Sequence, residues 1–228
     1  MKRYIELAMT AVLLVCVWLL SREAAAVSNM AETKTVIVVD AGHGGVDGGM
    51  AGTDGVDEKD INLSIAWKLR DALKDSGFEV IMTREGDEGL YEEGSSQKKV
   101  QDLQNRCKII AEASPALTVS IHQNSYTDPS VCGPQVFYYS TSQEGKRLAG
   151  VLQEVLNQAL SVDNGRKAKG NDSYYLLKRS EGVLNIVECG FLTNPKEAEL
   201  LQEEAYQQKV ADALCLGIRQ YLSEKPRG

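Results

Sequence analysis

Both histidines of the chain stand at the ends of hydrophobic runs. His43 follows VIVVDAG at residues 36–42, and His122 ends LTVSIH at residues 117–122. A carboxylate, Glu188, ends a third run, LNIVE, at residues 184–188. Open parallel sheets bind ligands at the carboxyl ends of their strands, so we expect these three side chains to meet at one edge. Glycines on both sides of His43 leave the backbone there open to close approach.

A third metal ligand is expected from the acidic segment DEKD at residues 57–60. This segment precedes an amphipathic helix whose N-terminus lies at the same edge, and Glu58 is our candidate. Spacing alone does not distinguish Glu58 from Asp57 as the ligand. The alternative is that Glu58 only stabilises the start of the helix through the helix dipole, which Asp57 and Asp60 would do equally well. Two histidines and one carboxylate are typical of a catalytic zinc site, in which the fourth position holds water.

Glu188 is predicted to be the general base that activates this water and later protonates the leaving group. The alternative is a structural carboxylate that is satisfied by hydrogen bonds. Burying a carboxylate at the end of so apolar a strand is costly without a cation or a function, which favours the catalytic role.

The surrounding elements alternate between strands and helices. Since the strands are too apolar to have a solvated face, they predict an α/β fold with a mainly parallel central sheet, helices on both faces and a single catalytic domain. The predicted strands are 35–40, 78–83, 117–122, 135–139, 174–177 and 183–188, and the predicted helices are 60–76, 100–113, 142–160, 195–201 and 205–221.

The N-terminal segment is predicted to direct export. Residues 1–26 combine a basic start, a short apolar run at 7–20 and an Ala-Ala-Ala ending, which are the parts of a secretory signal. The alternative is an uncleaved membrane anchor, although the run is shorter than the ~20 residues that usually span a bilayer. Residues 27–34 are a polar linker, residues 35–222 the catalytic domain and residues 223–228 a tail. The enzyme would then work outside the cytoplasmic membrane.

Composition excludes some classes of function. The chain of 228 residues has a net charge of −7 and no basic stretch, so nucleic acid is not an expected partner. Cys107, Cys132, Cys189 and Cys215 are too far apart for a zinc ribbon. They are compatible with one or two disulfides or with small core residues.

Six motifs occur in one order: VVDAGHGG, DEKDINL, Thr83-Arg84, LQNRCKIIAE, VSIHQNS and VECGFLTNPKE. Together they resemble the zinc-dependent N-acetylmuramoyl-L-alanine amidases with the Amidase_3 catalytic domain, over residues 35 to 221. The resemblance implies that His43, Glu58 and His122 bind Zn²⁺ and that Glu188 is catalytic. It also favours Glu58 over Asp57.

The implied reaction is hydrolysis of the amide between the lactyl group of N-acetylmuramic acid and L-alanine in peptidoglycan. The chain is predicted to be compact and exported, without wall-binding repeats or a long helical insertion. In this it resembles the germination-specific amidases of the spore cortex, and its expected location is the cell wall or the cortex space. Peptidoglycan is then the expected partner, and an accessory protein of unspecified identity is a candidate. The polar stretch 92–99 departs from the family pattern and is expected to lie away from the motifs.

Two other functions would use part of the same residue set. A zinc carboxypeptidase acting on wall peptides would require a His-x-x-Glu pair, whereas His43 and Glu58 are 15 positions apart. A non-catalytic peptidoglycan-binding module would tolerate loss of the site, whereas all four site residues are present.

Overall fold

The computed structural model describes residues 3, 9–10, 12–18, 34–52, 55–162 and 165–224. The chain divides into two units, Met1–Lys34 and Thr35–Gly228. In the first unit, residues 9–10 and 12–18 are helical and their side chains are exposed. Most of the predicted signal segment and linker lies outside the described residues, as do residues 225–228 of the predicted tail. Among the helices that the structure describes, none is both long and apolar enough to cross a membrane.

A sheet of six strands forms the centre of the second unit, counted over the described residues. The spatial order is β2-β1-β3-β6-β4-β5. Strands β2, β1, β3 and β6 are parallel, β4 runs antiparallel to β6, and β5 is parallel to β4. This confirms the predicted α/β fold with a mainly parallel sheet. The strands are β1 Val36–Ala41, β2 Glu79–Met82, β3 Leu117–Asn124, β4 Gln135–Tyr138, β5 Lys169–Gly170 and β6 Leu184–Phe191.

Helices cover both faces of the sheet because neighbouring strand residues point to opposite sides. Val39 packs into a core with residues of α1, α3 and α6, whereas Val38 packs with residues of α2 and α4. The helices are α1 Glu58–Asp75, α2 Lys98–Ala113, α3 Gln143–Ala159, α4 Tyr175–Arg179, α5 Pro195–Leu200 and α6 Glu204–Ser223.

One predicted strand is wrong. The sequence predicts an extended segment at 174–177, but Tyr174 is the N-cap of the short helix α4 and residues 175–177 are part of that helix. The side-chain oxygen of Asn171 accepts hydrogen bonds from the backbone of Ser173 and Tyr174, at 2.8 and 2.9 Å, and this turn starts the helix. Leu176 and Leu177 are then buried in the second core. A four-residue apolar run does not by itself distinguish a strand from a short buried helix.

The cysteines are free thiols in the structure. Cys189 and Cys215 are buried in the larger core, and Cys132 is exposed. The interpretation of the cysteines as small core residues therefore holds for Cys189 and Cys215 but not for Cys132.

Candidate metal and acid–base site

The segment after β1 bends sharply to turn His43 into the site. His43 has a φ of 60°, in the left-handed region that side chains other than glycine rarely adopt. Gly42 lies against the ring of His122, and a Cβ atom at this position would be only 2.2 Å from His122 Cε1. Glycine is therefore required there for the two histidines to approach each other.

Glu58 lies between the two imidazoles. Its Oε2 is 3.2 Å from His43 Nε2, and its Oε1 is 3.1 Å from His122 Nδ1. One ligand atom from each of the three residues lies within 4.8 Å of the others. The strand ends and the start of α1 thus bring together the three residues that the sequence analysis proposed as metal ligands.

The Glu58 carboxylate is held by backbone and side-chain donors. Oε1 accepts from the backbone N–H of Gln123 at 3.0 Å and from Asn62 Nδ2 at 3.2 Å, and Oε2 accepts from the backbone N–H of Met50 at 2.9 Å. Burial opposes its charge, but the two imidazoles outweigh this effect and lower the pKa of Glu58 well below its usual value. The neighbouring acids do not take its place: Asp57 is the N-cap of α1, and Asp60 is exposed.

Asp47 orients the other side of His43. Its Oδ2 lies 3.1 Å from His43 Nδ1, and Lys99 Nζ lies 3.3 Å from the same oxygen. Burial opposes protonation of His43, but hydrogen bonds first to Glu58 and then to Asp47 raise its pKa. The sequence analysis predicts that the stretch 92–99 lies away from the motifs, and this is wrong for its last residue. Lys99 is in the first turn of α2 and reaches the site.

Glu188 is buried beside this cluster, with 6% of its surface exposed. It is the β6 partner of His122 on β3. Burial, reinforced by the Glu58 carboxylate and opposed by His122, raises the pKa of Glu188 to about 7. Its Oε2 has no hydrogen-bond partner among the described residues.

An open cleft of about 330 Å³ joins all four residues. The hydroxyl of Tyr174 borders the cleft near Glu188, and burial together with that carboxylate raises the pKa of Tyr174 to about 12. Leu103, Leu176 and Ile186 supply an apolar wall. A substrate can therefore reach the imidazoles and the buried carboxylate from one side.

The residues fit a zinc ion. Two imidazoles and one carboxylate are the ligand types of catalytic zinc sites, and contacts of 3.1 and 3.2 Å leave room for an ion bound at about 2.0–2.2 Å from each ligand. Glu188 Oε2 is buried and has no hydrogen-bond partner in the part of the chain that the structure describes, so it is available to a group that enters the cleft.

Sequence reasoning missed the buried network beneath the His43 segment. Arg106 Nη1 is 2.6 Å from Asp40 Oδ1, and Arg106 Nη2 donates to the backbone carbonyl of His43 at 2.5 Å. Thr83 and Ser120 also donate to Asp40, at 2.6 and 2.5 Å. Burial opposes ionisation of Asp40, but Arg106 and the two hydroxyls outweigh it and lower its pKa to about 2. The available signal was the same as for Glu188: a carboxylate that ends an apolar run.

A second arginine completes this support. Arg84 Nε donates to the carbonyl of Ala41 at 3.0 Å, and Arg84 Nη2 donates to the carbonyls of Gly42 at 3.0 Å and Lys59 at 2.8 Å. Arg84 therefore ties the segment before His43 to the first turn of α1, which carries Glu58.

Comparisons with known proteins agree on one family. The family described as N-acetylmuramoyl-L-alanine amidase (Amidase_3) matches residues 37–220. The germination-specific N-acetylmuramoyl-L-alanine amidase of Bacillus subtilis is 40% identical over 193 residues, which is 83% of this chain and 81% of that protein.

Solved structures give the same result. The CwlD amidase of Clostridioides difficile, solved in complex with the GerS lipoprotein, superposes with a TM-score of 0.80 at 42% identity, covering 83% of this chain and 98% of that one. AmiC2, an N-acetylmuramoyl-L-alanine amidase of Nostoc punctiforme, superposes with a TM-score of 0.73 at 30% identity, again covering 83% and 98%.

Proposed function

The chain belongs to the N-acetylmuramoyl-L-alanine amidase family, and from this premise we propose that it is a zinc-dependent hydrolase of spore-cortex peptidoglycan. The observation that carries the proposal is the meeting of His43, Glu58 and His122 beside Glu188, whose Oε2 has no hydrogen-bond partner among the described residues. The 40% identity to a germination-specific amidase supports the cortex as the place of action.

His43, Glu58 and His122 are the proposed zinc ligands. When bound, zinc supplies Lewis-acid chemistry: it polarises a carbonyl oxygen and makes water a nucleophile at neutral pH. Asp47 and the network around Glu58 hold the ligand side chains in place, and metal-ligating histidines generally have such partners on their second ring nitrogen.

Glu188 is the proposed general base and acid. With a pKa of about 7 it can take a proton from the attacking water and deliver it to the alanine nitrogen as the amide breaks. The oxygen without a partner is the atom available for this transfer. The apolar wall of the cleft limits competing water around the carboxylate.

Export and partners follow from the same proposal. Residues 1–26 would carry the chain across the cytoplasmic membrane, either as a cleaved signal or as an anchor, to reach peptidoglycan in the wall or cortex space. The complex between the Clostridioides difficile relative and a lipoprotein supports an accessory protein as a further partner.

Digestion of purified sacculi, followed by mass spectrometry, tests the activity. We expect new amino-terminal alanine together with intact glycan strands, and about one zinc per chain by metal analysis. Release of terminal amino acids would instead indicate a carboxypeptidase. Binding to sacculi without any product would indicate a wall-binding module.

A further inference from the structure

A second cavity, of about 440 Å³, lies next to the catalytic cleft. Gln135 on its wall is the antiparallel β4 partner of Glu188, so their Cα atoms are about 5 Å apart. Phe137 on the same wall packs edge-on against Tyr174 of the catalytic cleft, with ring centroids 5.4 Å apart. The two cavities therefore share a wall on one face of the sheet.

The second cavity is cationic. Of the described residues that line it, only Arg166 and Lys169 are charged, although the whole chain has a net charge of −7. Among the described residues, neither cation has a carboxylate within salt-bridge distance. The nearby Glu197 carboxylate accepts the backbone N–H groups of Gly133 at 2.8 Å and Phe191 at 2.9 Å, and it acts on Arg166 through space without forming an ion pair with it.

The backbone that carries these cations is fixed in place. The carbonyl of Arg166 accepts from Asn157 Nδ2 at 2.9 Å, and the carbonyl of Lys167 accepts from Gln135 Nε2 at 2.7 Å. Arg166 Nε donates to the carbonyl of Cys132 at 3.2 Å, and the guanidinium carbon lies 5.0 Å from the centre of the Phe191 ring. Arg166 is thus positioned by a carbonyl and an aromatic ring rather than by an ion pair, which leaves the guanidinium able to bind an anion without first breaking a salt bridge.

The geometry points to a subsite that binds a carboxylate of the peptidoglycan stem peptide, an inference that rests on the proposed function. The peptide continues from the alanine side of the cleaved amide and carries free carboxylates beyond that alanine. Because the two cavities share a wall, a peptide that leaves the cleft from the alanine side reaches the second cavity within a few residues, each of which advances an extended chain by about 3.5 Å. A guanidinium binds a carboxylate with parallel hydrogen bonds, whereas sugar hydroxyls require no cation.

Three synthetic muramoyl tripeptides test this subsite with the zinc-loaded full chain. The first has free carboxylates on its second residue and at its terminus, and each of the others has one of these two groups converted to an amide. The kinetic constants of the wild type are compared with those of Arg166→Gln and Lys169→Gln. Arg219→Gln, which removes an exposed cation on α6, is the matched control.

For the wild type we expect one of the two amide substrates to lose about 10-fold or more in kcat/KM, since a charge-assisted contact is lost. On the substrate with both carboxylates free, Arg166→Gln should have a kcat/KM lower than that of the wild type by a similar factor. Conversion of the bound carboxylate to an amide should then lower the kcat/KM of this variant almost no further. The effect should be in KM, because the contact is remote from the reacting atoms. Lys169→Gln should show the same pattern with a smaller loss in kcat/KM. Arg219→Gln should have the kinetic constants of the wild type.

For one of the two amide substrates, wild type and Arg166→Gln should have nearly the same kcat/KM. The group converted to an amide in that substrate is the carboxylate that the subsite binds. Equal losses by Arg166→Gln on all three substrates, or no loss on any, would overturn the subsite. If Arg166→Gln has a lowered melting temperature, Lys169→Gln decides the question, because Lys169 is exposed and its replacement leaves the backbone contacts intact. If the wild type digests neither sacculi nor any of the three tripeptides, the proposed function fails rather than the subsite.

Discussion

Two buried carboxylates on the same sheet have opposite surroundings. Asp40 near the end of β1 has an arginine and two hydroxyls around it, and its pKa falls to about 2. Glu188 in β6 is almost as deeply buried, but one of its oxygens has no partner among the described residues and its pKa rises to about 7. The difference indicates that the β1 side stabilises the segment of the proposed ligand His43, whereas the β6 side retains a carboxyl oxygen without a partner among the described residues, as the proposed catalytic role requires.

Arg106→Leu should have the largest effect, on stability. It would leave Asp40 as an uncompensated buried charge, which typically costs about 3–5 kcal/mol of unfolding free energy. Denaturant unfolding of the metal-free protein measures this cost. The control is Lys108→Leu on the same helix, which breaks the exposed pair with Glu112 and should cost less than about 1 kcal/mol. Equal costs for the two variants would show that the buried pair is not a structural support.

Glu188→Gln should leave zinc content and stability almost unchanged but reduce turnover by about 10²–10⁴-fold. Glutamine occupies nearly the same space as glutamate but transfers no proton, and the position has no ion pair to lose. His122→Ala should lose both zinc and activity because a proposed ligand is removed. If Glu188→Gln lost zinc and regained activity in excess metal, Glu188 would be a ligand and its role would be exchanged with that of Glu58.

Asp40 should make stability fall in acid over a defined range. Its folded pKa of about 2 lies below the ordinary aspartate value of 3.8, so its ionised form stabilises the fold fully above about pH 4. Between pH 4 and 2 this contribution, about 2 kcal/mol, should disappear. The measurement is the difference in unfolding free energy between wild type and Asp40→Asn, which should be constant above pH 4 and shrink below it. A difference that does not vary with pH would contradict the assignment.

Asp47→Asn should have the smallest effect, a loss of about 10-fold in zinc affinity with the fold intact. Carboxylate partners of metal-ligating histidines typically contribute 10–100-fold, and Asp47 is near the lower end because it is partly exposed. Competition with a zinc chelator measures the affinity, and Asp71→Asn on the surface of α1 is the control. An unchanged affinity would mean that the contact between Asp47 and His43 does not orient the ligand.

Most elements and the positions of both histidines and Glu188 could be predicted from the sequence. Apolar runs and helical periodicity are local signals, and the carboxyl edge of a parallel sheet then brings His43, His122 and Glu188 to one place. Glu58 could not be chosen over Asp57 from spacing, because a difference of one residue at a helix start depends on backbone geometry. Resemblance to a family favoured Glu58, and the structure places only Glu58 between the imidazoles.

The pairing of Asp40 with Arg106 was not predictable in the same way. The two residues are 66 positions apart, and an arginine in an amphipathic helix is usually exposed. The cost of burying Asp40 at the end of an apolar strand pointed to some partner without identifying it. The helix at Tyr175–Arg179 was missed because its run of bulky residues is too short to have a periodicity.

The two arginines beneath His43 have a consequence for local unfolding. Arg106 and Arg84 together donate to the carbonyls of Ala41, Gly42 and His43, so this segment cannot open without exposing the buried ion pair. Its amide protons should therefore exchange with solvent only when the whole sheet unfolds, and proteases should not cleave it in the native state. If substrate entry requires any movement, that movement must come from the opposite wall of the cleft, where α4 contributes Leu176.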